Sequence, residues 1–303
     1  MSSNSFSLEG HTIAAPALES ALYLVATPIG NLGDITLRAL QTLAACDVIA
    51  CEDTRASRVL LQRYGIETRL TPYHDHNGPA ARPALLARLE TGQAVALISD
   101  AGTPLIADPG YKLVVAARQA GHKVVSIPGP SAVIAALSIA GQPTDQFTFA
   151  GFLPAKEKAR ADAITDLRQW PGTVCLYEAP SRLAASLAAL ADGLGADRQA
   201  SVCRELTKRF ETVQSGNLAE LTSYYRNEEE PRGEIVIVLA PAAETEVTQD
   251  NVDDALRAAL KTERVKDAAR LVSDAYGLPK RELYQRALKL AADTADTSAD
   301  DDA

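Results

Sequence analysis

A chain of 303 residues has room for two domains of ordinary size, each able to bury a core. With 47% hydrophobic and 23% charged residues it is neither a disordered chain nor a small disulfide scaffold. It holds no run of eighteen uncharged apolar residues and no basic-then-apolar N-terminal pattern, so a soluble, cytoplasmic protein without a membrane partner is expected.

The net charge of −9 is unevenly spread. Residues 256–290 carry nine basic against four acidic side chains, a net of +5, whereas the last thirteen residues carry five aspartates and no base. A basic C-terminal module followed by an acidic tail makes the total charge a poor guide to partners. The four cysteines, Cys46, Cys51, Cys175 and Cys203, sit in apolar runs with no C-x-x-C pair, which reads as buried thiols.

Short β-branched runs alternate with Ala/Leu-rich stretches of helical spacing. Strands are predicted over 22–26, 48–51, 68–73, 95–99 and 124–127, with helices over 37–43, 57–63, 80–89 and 112–120 between them. Strands apolar on both faces and separated by helices predict a largely parallel sheet. A second set follows over 147–152, 174–177, 201–203 and 235–239, again with helices between. The fold class is therefore α/β, as two consecutive α/β domains and a small C-terminal helical domain. The expected divisions are a flexible N-terminus (1–20), domains over 21–127 and 128–242, basic helices over 248–291 and a disordered acidic tail (292–303). Within the helical module, 251–260, 265–276 and 280–291 read as helices, with residues 241–246 as linker and Gly277 and Pro279 as stop and start signals.

Five polar, Gly- and Pro-rich segments fall at predicted strand ends, where open α/β sheets bind ligands. The segment TPIGNLGD (27–34) reads either as a ligand loop or as an ordinary turn with Asp34 capping a helix at Ile35. Glu52, Asp53 and Arg55 supply a base and a phosphate clamp, or a helix cap with a surface ion pair. His74 and His76 flank Asp75, but alternate strand residues face opposite ways, which disfavours a shared metal. The segment SDAGTPLIADPG (99–110) is the densest in Gly and Pro, and its small residues let a ligand approach the backbone. PGPSA (128–132) presents amide donors at a helix start, or acts as a hinge. No G-x-G-x-x-G or P-loop sequence occurs.

Taken in order, YLVATPIGNLGDITLRAL, CEDTR, LISDAGTPLIADPGY, IPGPSAVIAALSIAGQPTDQFTFAGFLP, LYEAPSRL, VCRELTKRFET and GEIVIVL resemble the ribosomal RNA small subunit methyltransferase I family. That family is a branch of the tetrapyrrole methylases, the class III methyltransferases. The resemblance covers roughly residues 22–239, and the C-terminal LPKRELY is similar to the family's RNA-contacting appendage. It implies S-adenosylmethionine in a cleft between the two α/β domains and methylation of the ribose 2′-oxygen of a decoding-centre cytidine in 16S rRNA. A small ribosomal subunit as substrate, a homodimer and no metal are implied with it.

By position, the resemblance places Pro28, Asp100, Gly102, Thr103, Ile106, Ala107, Ser131 and Ala132 around the methionine moiety, and Tyr177, Leu206, Gly233 and Ile235 around the adenosine. Thr103 replaces the Asp of the superfamily's Gly-Asp-Pro motif, which weighs against a porphyrinoid substrate. Glu52 or Asp53 is the expected base, with Arg55 on a phosphate and Asp100 as rival base. Arg204, Lys208 and Arg209, with Lys280, Arg281 and Arg286, are the expected RNA contacts. A porphyrinoid C-methyltransferase and a non-catalytic ribosome-assembly factor stand as the alternatives.

Overall fold

The computed structural model describes residues 4–168, 170–242, 249–276 and 278–297, and the chain divides into two compact units, 1–242 and 243–303. The first unit opens with a hairpin, β1 (Ser5–Leu8) and β2 (His11–Ala14), so the expectation of a flexible first twenty residues is corrected. Phe6 explains the difference: it is buried in the neighbouring core, and the Ser7 amide donates to the Tyr64 carbonyl at 2.7 Å.

The first sheet has the order β5-β4-β6-β3-β7, every pair parallel. Its strands are β3 (Leu22–Val25), β4 (Val48–Cys51), β5 (Leu70–Pro72), β6 (Val95–Leu97) and β7 (Val124–Ile127). The central strands are apolar on both faces because helices cover both. One face packs Tyr23, Val25 and Ile49 against Leu40 and Leu43 of α1 (Leu37–Ala45) and Leu60 and Leu61 of α2 (Thr54–Arg63). The other packs Leu22, Val48 and Leu97 against Leu85 and Leu89 of α3 (Gly78–Glu90) and Leu113 of α4 (Tyr111–Gln119). Pro72, which cannot donate to a ladder, lies on the edge strand. Thr36, whose hydroxyl accepts from the Ala39 amide at 3.1 Å, caps α1; Asp34 instead ends a short 3-10 turn capped by Asn31, a correction to its expected capping role.

After α5 (Ala132–Ile139) the second sheet runs β11-β10-β12-β9-β8, antiparallel except for the β8–β9 pair. Its strands are β8 (Phe147–Phe152), β9 (Thr173–Glu178), β10 (Gln199–Arg204), β11 (Thr212–Asn217) and β12 (Ile235–Leu239). Side chains alternate along β9, β10 and β12: Val174, Leu176, Ile235 and Ile237 face the core beneath α6 (Glu157–Arg168), α7 (Leu183–Leu194) and α8 (Leu218–Asn227), whereas Cys175, Cys203, Val236 and Val238 face α5. All four cysteines are buried and free.

Gly172, in the turn before β9, has its back to Gln146. A Cβ there would stand 2.3 Å from the Gln146 carbonyl oxygen, which itself accepts from the Thr173 amide at 2.9 Å. Gly172→Ala is therefore expected to destabilise the first unit by about 1–3 kcal/mol through overpacking, read as a lowered denaturation midpoint. An unchanged midpoint would show that the β8–β9 entry can shift freely.

The second unit comprises α9 (Gln249–Leu260), α10 (Val265–Tyr276) and α11 (Lys280–Thr297) around Val252, Leu256, Ala269, Val272, Leu283 and Ala287. The last helix outlasts its expected end at residue 291, so the disordered tail expected from 292 is corrected as far as Thr297. Of the expected linker, residues 243–246 lie outside the described residues, as do Gly277 and tail residues 298–303.

Candidate functional site

Three loops at the carboxyl end of the first sheet are stitched together by backbone. Thr27 and Gly102 exchange reciprocal amide-to-carbonyl hydrogen bonds, both 2.9 Å, joining the loop after β3 to the loop after β6. The Thr103 hydroxyl donates to the Pro130 carbonyl at 3.0 Å and ties in the loop after β7. Gly129 makes this approach possible, since a Cβ there would lie 3.1 Å from the Ala26 Cβ. Gly102 has φ +80°, and the non-glycine residues Leu105 (φ +74°) and Ala107 (φ +63°) share that left-handed region. Leu105 is held there by packing against the core of Leu22, Leu97 and Leu113.

Above these loops lies a cavity of about 400 Å³, closed on its other side by the second sheet. Asp100, Gly102, Thr103, Ile106, Ala107, Ser131, Ala132, Tyr177, Gly233 and Ile235 all stand on its wall, as does Ile29. Pro28 and Leu206 do not: Pro28 is buried beside Ile29, and Leu206 belongs to the core between α5 and the second sheet. The wall also holds Asp108, Phe152, Glu178, Ala179, Pro180 and Glu234, which sequence reasoning missed. The segment EAP (178–180) follows a strand as directly as the loops that were singled out, so the same strand-end rule applied to β9 finds it. Phe152 arrives through a register shift in β8 between Phe149 and Phe152. It stacks edge-on against Tyr177 at 5.6 Å, and Phe149 does so at 4.7 Å. Burial raises the Tyr177 hydroxyl to about 12, so it stays a protonated donor.

Asp108 is the unusual acid. Partial burial first, then the charges of Glu52 and Asp100, raise its carboxyl to about 6, and only the Ser99 hydroxyl pulls the other way. Glu52 is raised as well, by desolvation and by Asp100 and Asp75. Asp53 behaves in the opposite sense: its carboxylate accepts from the Arg55 amide at 2.8 Å and from the Arg55 guanidinium at 2.8 and 3.2 Å, which hold it down at about 2. Neither Asp53 nor Arg55 lines the cavity, and Asp53 also caps α2. The cap and the surface ion pair that the sequence offered for these two residues are both formed. His74 and His76 sit in a turn with rings 6.1 Å apart, and no group of three potential metal ligands occurs among the described residues.

A family model for tetrapyrrole (corrin/porphyrin) methylases matches residues 21–222, and one for the RsmI C-terminal HTH domain matches residues 246–291. The ribosomal RNA small subunit methyltransferase I of Mesorhizobium japonicum is 51% identical over 293 residues, 96% of this chain and 97% of that one. Its namesake from Escherichia coli O157:H7 is 47% identical over 275 residues, 89% of this chain and 96% of that one. The chain belongs to the ribosomal RNA small subunit methyltransferase I family. At the level of fold, it is similar to uroporphyrin-III C-methyltransferase from Thermus thermophilus complexed with S-adenosyl homocysteine. That match has a TM-score of 0.52 at 17% identity, covering 72% of this chain and 96% of that one.

In this member of the ribosomal RNA small subunit methyltransferase I family the basic side chains are held in different ways. Lys208 is engaged by Glu205 at 2.9 Å and Glu234 at 3.3 Å. Arg204 donates to the Thr212 hydroxyl at 3.3 Å, and exposed Arg209 lies 5.6 Å over the Phe210 ring. In the second unit, Lys280 and Arg281 are exposed in the first turn of α11, whereas the Arg286 fork grips both oxygens of Asp253 on α9. Arg286 thereby clamps α11 to α9.

Proposed function

We propose that the chain transfers a methyl group from S-adenosylmethionine to the ribose 2′-oxygen of a cytidine in the decoding centre of 16S rRNA. It acts in the cytoplasm, as a homodimer, on the assembled small subunit. The observation that carries this reading is the cavity: a backbone-rich pocket at the strand ends with one carboxyl titrating near neutrality, in a chain about half identical to enzymes named for small-subunit rRNA methylation. For the dimer, Ile134, Ile139 and Phe147 offer apolar surface, 55%, 44% and 41% exposed.

The residues suit the cofactor. Carboxylates of Asp100 and Asp108 favour a sulfonium cation, Gly102 and Thr103 let it meet the backbone, and Tyr177, Phe152 and Ile235 offer apolar faces to an adenine. When bound, S-adenosylmethionine supplies an electrophilic methyl group. A ribose hydroxyl is a weak nucleophile until its proton is taken, and Asp108 is the group on this wall fitted to accept that proton at neutral pH. Burial, and after it the charges of Glu52 and Asp100, keeps Asp108 basic. The stitched loops hold the cofactor wall in one shape, so that alignment of the two reactants supplies much of the acceleration.

The test incubates the purified protein and labelled S-adenosylmethionine with small subunits from a strain lacking the gene, then maps methyl groups by mass spectrometry of rRNA fragments. One methyl on the ribose of a decoding-centre cytidine is expected. A methyl on a base, or transfer to a porphyrinoid and none to rRNA, would overturn the reading, and no transfer despite cofactor binding would favour an assembly factor.

A further inference from the structure

A second recess of about 120 Å³ opens beside the cofactor cavity, at the carboxyl end of the same sheet. That is about four waters at roughly 30 Å³ each, room for a phosphate group but not for a nucleotide. Its walls come from the segment after β5, from Arg82 on α3 and from the first turn of α4, and Asp108 is common to both spaces.

The recess gathers donors that lack acceptors. Tyr73 is only 3% exposed, yet its hydroxyl has no hydrogen-bond partner among the described residues. The hydroxyl lies beside Gly78, where a Cβ would stand 3.6 Å from it. The Nε of Arg82 is buried without an acceptor. The amides of Tyr111 and Lys112, at the start of a helix whose Gly110 cap offers no side chain, have no carbonyl to bond among the described residues. Lys112, exposed to solvent, lines the same opening. Two carboxylates share the wall: Asp75 is exposed to solvent, and Asp108 faces the cofactor cavity as well. A buried donor without an acceptor, as at Arg82, is costly, and donors lining one space call for an anionic acceptor.

We propose that this recess holds a phosphate of the acceptor RNA strand, next to the ribose that is methylated, with Tyr111 on the rim stacking against an adjoining base. Tyr111 is 70% exposed, the right disposition for a base platform. Because Asp108 joins the two spaces, a phosphate seated here delivers its attached ribose to the base and to the cofactor wall together. The inference rests on the ribose reading above, and it extends that reading by naming where the RNA backbone is gripped.

Fluorescence anisotropy of a labelled oligocytidine, with S-adenosylmethionine affinity measured by calorimetry on the same preparations, tests it. Arg82→Gln and Lys112→Gln are each expected to weaken RNA binding about tenfold, and Lys112→Gln to lower the slope of log affinity against log salt by about one. Arg118→Gln, an equal charge change at the exposed far end of α4, is expected to leave RNA binding unchanged. Cofactor affinity and thermal midpoint should hold in all three. Wild-type-like RNA binding by Arg82→Gln and Lys112→Gln, losses matched by Arg118→Gln, loss of cofactor affinity, or failure of the wild-type protein to bind the RNA would each overturn the proposal. The readout needs no turnover, so the two readings fail separately. RNA held through Arg82 and Lys112 but methylated at a base would leave the phosphate site and remove ribose methylation. Ribose methylation with these two variants unaffected would do the reverse.

Discussion

Asp108→Asn is expected to lower kcat on small subunits by about 10²–10⁴-fold while cofactor affinity stays within a few-fold of wild type. The pH profile makes the test specific. A base must be deprotonated to act, so wild-type kcat/KM should climb with pH through about 6, where Asp108 titrates, and level off above it. The residual activity of Asp108→Asn should lack that limb. Stability should move the opposite way. The carboxyl is raised from an ordinary 3.8 to about 6, so the folded protein favours its protonated form. The resulting penalty is absent below the unfolded-state value, develops as pH rises through the folded-state value, and is fully present at pH 7. Asparagine removes it, and after discounting for solvent screening the variant should gain about 1 kcal/mol at pH 7 and none at pH 3. Near wild-type turnover at saturating substrate would sink the assignment of Asp108 as base.

The second large effect concerns the C-terminal helices. A chain ending at Ala242 keeps every residue of the cavity wall and so should bind S-adenosylmethionine as the full chain does. Its affinity for small subunits should fall by about 10- to 100-fold, with a shallower salt dependence, because the exposed Lys280 and Arg281 and their basic neighbours are gone. A double charge reversal, Lys280→Glu with Arg281→Glu, should reproduce part of that loss without removing the core of Val252, Leu256 and Leu283. Equal loss of cofactor and subunit binding on truncation would instead give the helices a structural role.

Which parts of this picture were legible in the sequence follows from where the information sits. Strands β3, β4 and β6 are read almost to the residue because burial on both faces leaves almost nothing but apolar side chains. Strand β11, with the sequence TVQSGN, is polar and largely exposed at a sheet edge, so it carries no alternation to read. The hairpin at 5–14 is betrayed only by Phe6, whose burial depends on a core the local sequence does not contain. The loops of the cavity were visible as clustered Gly and Pro at strand ends. The properties of Asp108 were not, because they arise from desolvation and from Glu52, a charge far away in the sequence. The clamp between Arg286 and Asp253 likewise spans 33 positions. Asp53 and Arg55, two residues apart, form the pair that local reasoning left as one of two alternatives.

The left-handed backbone of Leu105 and Ala107 bears on how such a site works over many turnovers. Each such residue raises the energy of the folded chain by about 1–3 kcal/mol, and the reciprocal Thr27–Gly102 bonds and the core contact of Leu105 keep them in place. A wall already shaped when empty does not have to be ordered anew for each incoming cofactor, so the entropic penalty of shaping it is incurred once, during folding, and not in every cycle. Substitutions that relax this loop would then make the protein harder to melt and slower at its task, and selection for the two properties pulls on the same few residues in opposite directions.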